Sequence, residues 1–168
     1  MIKIVELDET LIKRAKELVS KVFPRRSILE RCSFWAFEHQ KNRLVKMIMN
    51  IFGISSLLHF WVATDANKEV YGTTGIYTYT KDENEAVWLS WFCVDPAQRG
   101  KGIGKQLIKY SIDMAKKYNR KYFRLYTSDD TNEQAAQNLY EKYGFKIIKT
   151  KKKQFYTEIY RELELSNT

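Results

Sequence analysis

Between Val94 and Lys105 the chain reads Val-Asp-Pro-Ala-Gln-Arg-Gly-Lys-Gly-Ile-Gly-Lys, joining an aromatic-rich apolar strand to an amphipathic helix through Gly100, Gly102 and Gly104. The first N–H groups of a helix have no intrahelical acceptor, and glycines leave them unobstructed by side chains. Such a strand-to-helix turn suits an anion, above all a phosphate. Two common phosphate motifs fail on the residues. A P-loop needs Gly where Arg99 stands and Ser or Thr where Gln106 stands, and a dinucleotide fingerprint needs Gly at Lys105.

The charge distribution points the same way. The net charge is +9, yet residues 97–153 alone hold 15 Lys/Arg against 5 Asp/Glu, so the surplus falls in the segment that carries the glycines. A local anion site accounts for this better than a basic surface, which argues against nucleic acid as a partner. At 168 residues the chain suits one domain, 1–168. No window approaches the ~18 apolar residues of a membrane span, so the expectation is a soluble, cytoplasmic protein without a membrane partner. Cys32 and Cys93 fit no metal-ligand spacing, and no metal site is expected.

Residues Ile2 to Leu7 alternate as a short strand, and Asp8 caps a helix presenting Leu11, Ala15, Leu18 and Val22, closed by Pro24. Ser27 and Glu30 form a capping box ahead of a second helical stretch, one helix or two, with Phe34, Phe37, Leu44, Ile48 and Phe52 on its apolar side. Strands follow at Leu58–Thr64, Val70–Thr80 and Glu85–Val94, then a helix over Lys101–Tyr118 and a strand over Tyr122–Thr127. A helix over Asn132–Tyr143 and strands at Phe145–Lys149 and Phe155–Leu163 complete the chain, with Leu165 to Thr168 as a loose end. The order βααβββαβαββ is that of a mixed α/β (α+β) domain, a largely antiparallel sheet flanked by helices.

The loop has the form Arg99-x-x-Gly102-x-Gly104, and some 35 residues later comes Asn138-Leu139-Tyr140-Glu141-Lys142-Tyr143-Gly144-Phe145. In both blocks the chain resembles the GCN5-related N-acetyltransferase (GNAT) superfamily, whose pyrophosphate loop reads Arg/Gln-x-x-Gly-x-Gly/Ala and whose last core helix ends Leu-Tyr-x-x-Leu-Gly-Phe. Tyr143 replaces the usual Leu. The family's Asn, seven residues before the Tyr, is Glu133 here, with Asn132 beside it.

The resemblance implies an acetyl-CoA-dependent N-acetyltransferase acting on a small-molecule or peptide amine, as a monomer or homodimer. Acetyl-CoA would be the co-substrate, and helices within about 8–53 would lie on the acceptor side of a CoA-binding core at about 85–150. Phe92, Cys93 and Val94 would splay from the neighbouring strand and offer backbone groups to the pantetheine arm. The N–H groups from Arg99 through Gly100, Lys101, Gly102, Ile103 and Gly104 would hold the pyrophosphate, assisted by Lys101 and Lys105. Asn132 or Asn138 would meet the arm, and Tyr140 would sit by the sulfur as general acid. A non-catalytic CoA-binding or regulatory domain is the alternative.

The strand from Val87 to Val94 lacks the carboxylate many relatives use as base, and its one hydroxyl is Ser90. Glu85, acting through water, is the candidate base, and the N–H of Cys93 or Val94 the candidate oxyanion donor. Cys93 has no identifiable base beside it and reads as packing, as His39 and His59 do. Arg25, Arg26 and Arg31, near Phe34 and Trp35, form either an acceptor pocket or a solvated basic turn.

Overall fold

A computed structural model describes residues 1–24 and 28–165. Arg25, Arg26 and Ser27 therefore lie outside the described residues, and with them the suggested capping box and two arginines of the suggested acceptor pocket.

The opening segment forms β1 (Lys3–Glu6) and α1 (Ile12–Val22). Asp8 organises the turn between them, its carboxylate accepting from the N–H groups of Thr10 (2.9 Å) and Leu11 (3.1 Å). The second helical stretch is two helices, α2 (Ile28–Glu38) and α3 (Arg43–Ile51). Asn42 makes the break, because its side chain accepts from the N–H of Leu44 at 2.9 Å, a cap worth about 1 kcal/mol. Four elements follow: β2 (Ile54–Thr64), β3 (Val70–Tyr79), β4 (Ala86–Val94) and α4 (Ile103–Lys116). The chain ends with β5 (Tyr122–Ser128), α5 (Gln134–Lys142), β6 (Lys146–Lys152) and β7 (Thr157–Glu164).

Among the described residues the strands make one seven-stranded sheet in the order β1-β2-β3-β4-β5-β7-β6. Neighbours are antiparallel except for the parallel pair β4 and β5. Strand alternation divides the apolar residues between two faces. Phe60 and Val62 pack under α1 and α2 with Leu18, Val19 and Phe34, and Leu57, Tyr77 and Trp88 pack under α3 with Val45 and Met49. On the opposite face Ile76, Val87 and Phe123 meet Ile108 and Ala115 of α4 and Tyr140 of α5. Truncating a side chain as enclosed as Phe123, with 0% exposure, costs about 3–5 kcal/mol.

Several boundaries differ from the sequence reading; β6, for example, runs Lys146–Lys152 rather than Phe145–Lys149. Strand β2 begins at Ile54, where Ser55 Oγ lies 2.6 Å from Thr78 Oγ1 on β3. Strand β7 begins only at Thr157, because the N–H of Lys153 donates to the Tyr156 carbonyl (2.8 Å) and puts Phe155 in a turn. Leu165 is core rather than a loose end: it is buried, and its N–H donates to the Lys121 carbonyl at 2.8 Å. The basic surplus also divides in space. Lys146, Lys149, Lys151 and Lys152 belong to the exposed edge strand β6, where lysines discourage edge-to-edge pairing, so the glycine loop accounts for only part of it. Among the described residues no helix is long and apolar enough to cross a membrane.

Candidate active site

Strands β4 and β5 begin side by side and then part. Their register ends at Trp88 opposite Arg124, after which β5 continues against β7 alone as far as Ser128. A bulge in β4 accompanies the parting: Thr73 faces Cys93 and Gly75 faces Ser90, so β4 carries an extra residue there. Trp91 takes it up with a φ of 42°, a strained conformation for so bulky a residue. Contacts from other elements hold it. Thr73 Oγ1 donates to the Trp91 carbonyl at 2.5 Å, the indole Nε1 donates to Ser33 Oγ at 2.8 Å, and the ring packs on Phe23 and Phe34.

Beyond the bulge the N–H of Asp95 donates to the Tyr71 carbonyl on β3. Alternation therefore directs the Cys93 N–H toward β3 and the Val94 N–H into the gap. Of the two candidate donors, only Val94 faces the opening.

Helix α4 starts where the gap ends. Gly102 caps it in the left-handed conformation (φ 80°), and Gly100 has φ 81°. A Cβ added at either would meet nothing within 4 Å, so the ground before them is open. The first helical bond runs from the Gln106 N–H to the Gly102 carbonyl, which leaves the N–H groups of Ile103, Gly104 and Lys105 ahead of the ladder. Gly104 sits where three elements converge, its Cβ position 3.6 Å from side-chain atoms of Val94 and Leu139 and 3.9 Å from Phe92. Arg99 and Lys105 are exposed beside the loop, while the Lys101 ammonium is held by Gln98 Oε1 at 2.8 Å.

Helix α5 is fastened to the end of β5. Glu133, at the family's Asn position, accepts from Thr127 Oγ1, from Ser128 Oγ (2.8 Å) and from the Ser128 N–H (3.1 Å). Gln137 Nε2 donates to the Ser128 carbonyl at 2.6 Å, and buried Arg161 reaches Gln137 and Glu141. Tyr143, in the usual Leu position, donates to the Lys105 carbonyl at 3.3 Å and so links α5 to α4. This scaffold fixes Tyr140, whose ring packs between Phe92 and Phe145. Burial, with Glu133 and Cys93 close by, pushes its phenol far above the ordinary tyrosine range, so Tyr140 is a protonated donor at neutral pH.

Gap, loop and α5 line one cleft of about 1320 Å³, which contains Phe92, Cys93, Val94, Arg99, Gly100, Gly102, Ile103, Gly104, Lys105, Asn132 and Tyr140. Four named residues fall elsewhere. Lys101, drawn to Gln98 Oε1, is off the cleft wall. Asn138 turns outward, accepting from Gln134 Nε2 at 3.1 Å. Glu85 is exposed at the far end of β4, bound to Arg124 Nη1 at 3.1 Å and off the cleft wall, a poor position for the base. Arg31 is exposed and also off the wall. Burial pushes the Cys93 thiol up to about 11, against the hydrogen bond with Thr73, so it is no thiolate at neutral pH. His39 bonds the Trp35 carbonyl and His59 bonds Glu6, both as structural partners.

Sequence reasoning missed the wall opposite α4. There Tyr77 and Tyr79 of β3, Tyr126 of β5 and Tyr160 and Glu158 of β7 face the same cleft. Period-two alternation pairs Tyr77 with Tyr79 within one strand, but bringing Tyr126 opposite Tyr160 requires the sheet register.

The family model that matches the chain, over residues 56–147, is that of the acetyltransferase (GNAT) domain. The chain belongs to this family. A curated relative, the spermine/spermidine N(1)-acetyltransferase of Bacillus subtilis strain 168, is 39% identical over 71 residues. That match covers 41% of this chain and 45% of the relative, so the chain spans less than half of the relative's length. A GNAT-family acetyltransferase from Staphylococcus aureus Mu50 superimposes with a TM-score of 0.74 at 22% identity, covering 99% of this chain and 100% of that one. An aminoglycoside 6'-N-acetyltransferase complexed with coenzyme A gives 0.68 at 18% identity, covering 98% and 97%. At these identities the structural likenesses bear on the fold.

Proposed function

We propose that the chain is an N-acetyltransferase that moves an acetyl group from acetyl-CoA to a primary amine by direct attack. The observation that carries this reading is the convergence in one cleft of the open helix start at Gly102–Lys105, the unpaired edge of β4 and the buried phenol of Tyr140. These match the parts of acetyl-CoA in turn. The N–H groups of Ile103, Gly104 and Lys105 suit a pyrophosphate, with Arg99 and Lys105 adding charge. The free edge of β4 from Phe92 to Val94 suits the pantetheine amides, taken up as an added strand would be, with Asn132 on the opposite wall.

When bound, acetyl-CoA supplies a thioester carbonyl carbon open to an amine. The Val94 N–H is the donor aimed into the gap for the carbonyl oxygen. Tyr140 keeps its proton at Oη and gives it to the departing sulfur. An aliphatic ammonium has a pKa near ~10, so the acceptor loses its proton to water before it attacks. The spermine/spermidine acetyltransferase relative supports an amine as acceptor.

One observation favours a second reading, a CoA-binding or regulatory domain without turnover: β4 carries no carboxylate from Val87 to Val94, and Glu85 lies off the cleft. Release of CoA thiol against a panel of polyamines, amino acids, aminoglycosides and peptide amino termini separates the two. Amine-dependent release supports the transferase. Binding of acetyl-CoA without release for any amine supports the regulatory domain.

A further inference from the structure

The tyrosine wall is a surface on which cations already rest. The Lys81 ammonium lies 4.9 Å from the ring centre of Tyr79 and 5.1 Å from that of Trp88, and the Lys149 ammonium lies 6.0 Å from that of Tyr160. Aromatic faces attract ammonium groups through their quadrupoles. On this wall stands one point anion, Glu158, two residues before Tyr160 and on the same face of β7. Its side chain is 14% exposed, it accepts from the Tyr160 hydroxyl at 2.9 Å, and its Oε1 holds the Lys153 ammonium at 3.0 Å.

The other carboxylates lining the cleft are committed. Glu133 is bound to Thr127 and Ser128, and Asp130 caps the turn before α5 through the Asn132 N–H. Glu158 differs in that its cationic partner is a lysine from the turn between β6 and β7, a single flexible side chain. A carboxylate in an aromatic wall, already seated on an alkylammonium, is built for another alkylammonium.

We infer that Glu158 is a specificity-determining residue: it holds the second, non-reacting ammonium of a linear diamine or polyamine acceptor, which displaces Lys153 from the carboxylate. The inference rests on the acetyltransferase reading for the identity of the ligand as acceptor. It gives the two partners of one salt bridge opposite effects. Glu158→Gln keeps an acceptor for Tyr160 but removes the charge, whereas Lys153→Met removes the competitor and leaves the carboxylate free.

The test uses diaminobutane and butylamine, which differ by one ammonium, against the whole chain, with CoA present for binding and acetyl-CoA for turnover. Melting-temperature shifts report binding, and kcat/KM from thiol release reports turnover. The wild type favours diaminobutane by about tenfold or more, the size of one charge-assisted hydrogen bond. Glu158→Gln removes that preference while leaving butylamine unchanged, and Lys153→Met enlarges it. An unchanged shift with acetyl-CoA shows that each variant is folded. Equal responses of the wild type to both amines overturn the inference, as does a Lys153→Met variant that weakens diaminobutane alongside Glu158→Gln, the pattern of a merely structural salt bridge. Glu158-dependent binding of diaminobutane without turnover on any amine would uphold Glu158 as the ammonium site and contradict the acetyltransferase reading instead.

Discussion

The hydroxyl of Thr73 on β3 donates to the carbonyl of Trp91 on β4 at 2.5 Å, across the bulge where β4 leaves β5. Trp91 holds a positive φ that its side chain disfavours, and the bond helps to keep it there. Thr73→Val preserves shape and removes this donor from the Trp91 carbonyl. The expected cost is about 1–3 kcal/mol in stability, seen as a lower Tm, with turnover falling further than acetyl-CoA affinity because the Val94 N–H moves with the bulge. A variant with wild-type Tm and turnover would show that the packing of Trp91 on Phe23 and Phe34 suffices.

The glycine loop makes a second prediction. Acetyl-CoA raises the Tm of the wild type by mass action, and Gly104→Glu abolishes the shift by placing a carboxylate where the phosphate sits. Gly104→Ala is the control. Its Cβ makes ordinary contacts at 3.6 Å, so it folds and retains most of the shift. Gly102→Glu adds strain to repulsion, since Gly102 has φ 80°, and also lowers the Tm without ligand. Replacing Lys105 by Ala weakens acetyl-CoA more at low salt than at high salt, and more than replacing Lys101, which Gln98 holds. Equal acetyl-CoA shifts in wild type and Gly104→Glu would remove the loop from the site.

Cys93 lines the cleft, and we predict that it does not act as a nucleophile. Its thiol, raised to about 11 by burial, is neutral throughout pH 6 to 9, so no limb of the pH–rate profile in that range belongs to it. Cys93→Ala is expected to keep turnover within about tenfold of wild type, a packing loss rather than loss of a reacting group. An acetyl group found on Cys93 by mass spectrometry after acetyl-CoA alone would contradict this.

What the sequence made legible follows from the range of the forces involved. The glycine loop, the amphipathic helix after it and the Tyr140 helix are local patterns, visible because helix periodicity and caps act within a few residues. The bulge was not legible, because a positive φ at Trp91 runs against local preference and is enforced by Ser33, Thr73, Phe23 and Phe34 from other elements. The outward turn of Asn138 depends on which face of α5 the sheet covers. Glu158 reads in sequence as one polar residue near the start of a strand, and only the register that sets it opposite Ser128 and beside Tyr160 brings it to the cleft.

Tyr140 carries the central claim, that this cleft transfers an acetyl group rather than merely holding its donor. Burial keeps the phenol protonated to well above neutrality, so its proton stays available across pH 6 to 9. Tyr140→Phe retains the ring against Phe92 and Phe145 and removes only the donor. The measurement is product formation by mass spectrometry, acetylated amine against free CoA, for wild type and Tyr140→Phe at matched acetyl-CoA occupancy. Acetyl transfer with Tyr140 as the acid requires one acetylated amine per CoA released by the wild type, and a loss of roughly 10²-fold in kcat for Tyr140→Phe with acetyl-CoA affinity unchanged. Wild-type kcat in Tyr140→Phe across pH 6 to 9, or no acetylated amine from the wild type, would contradict it.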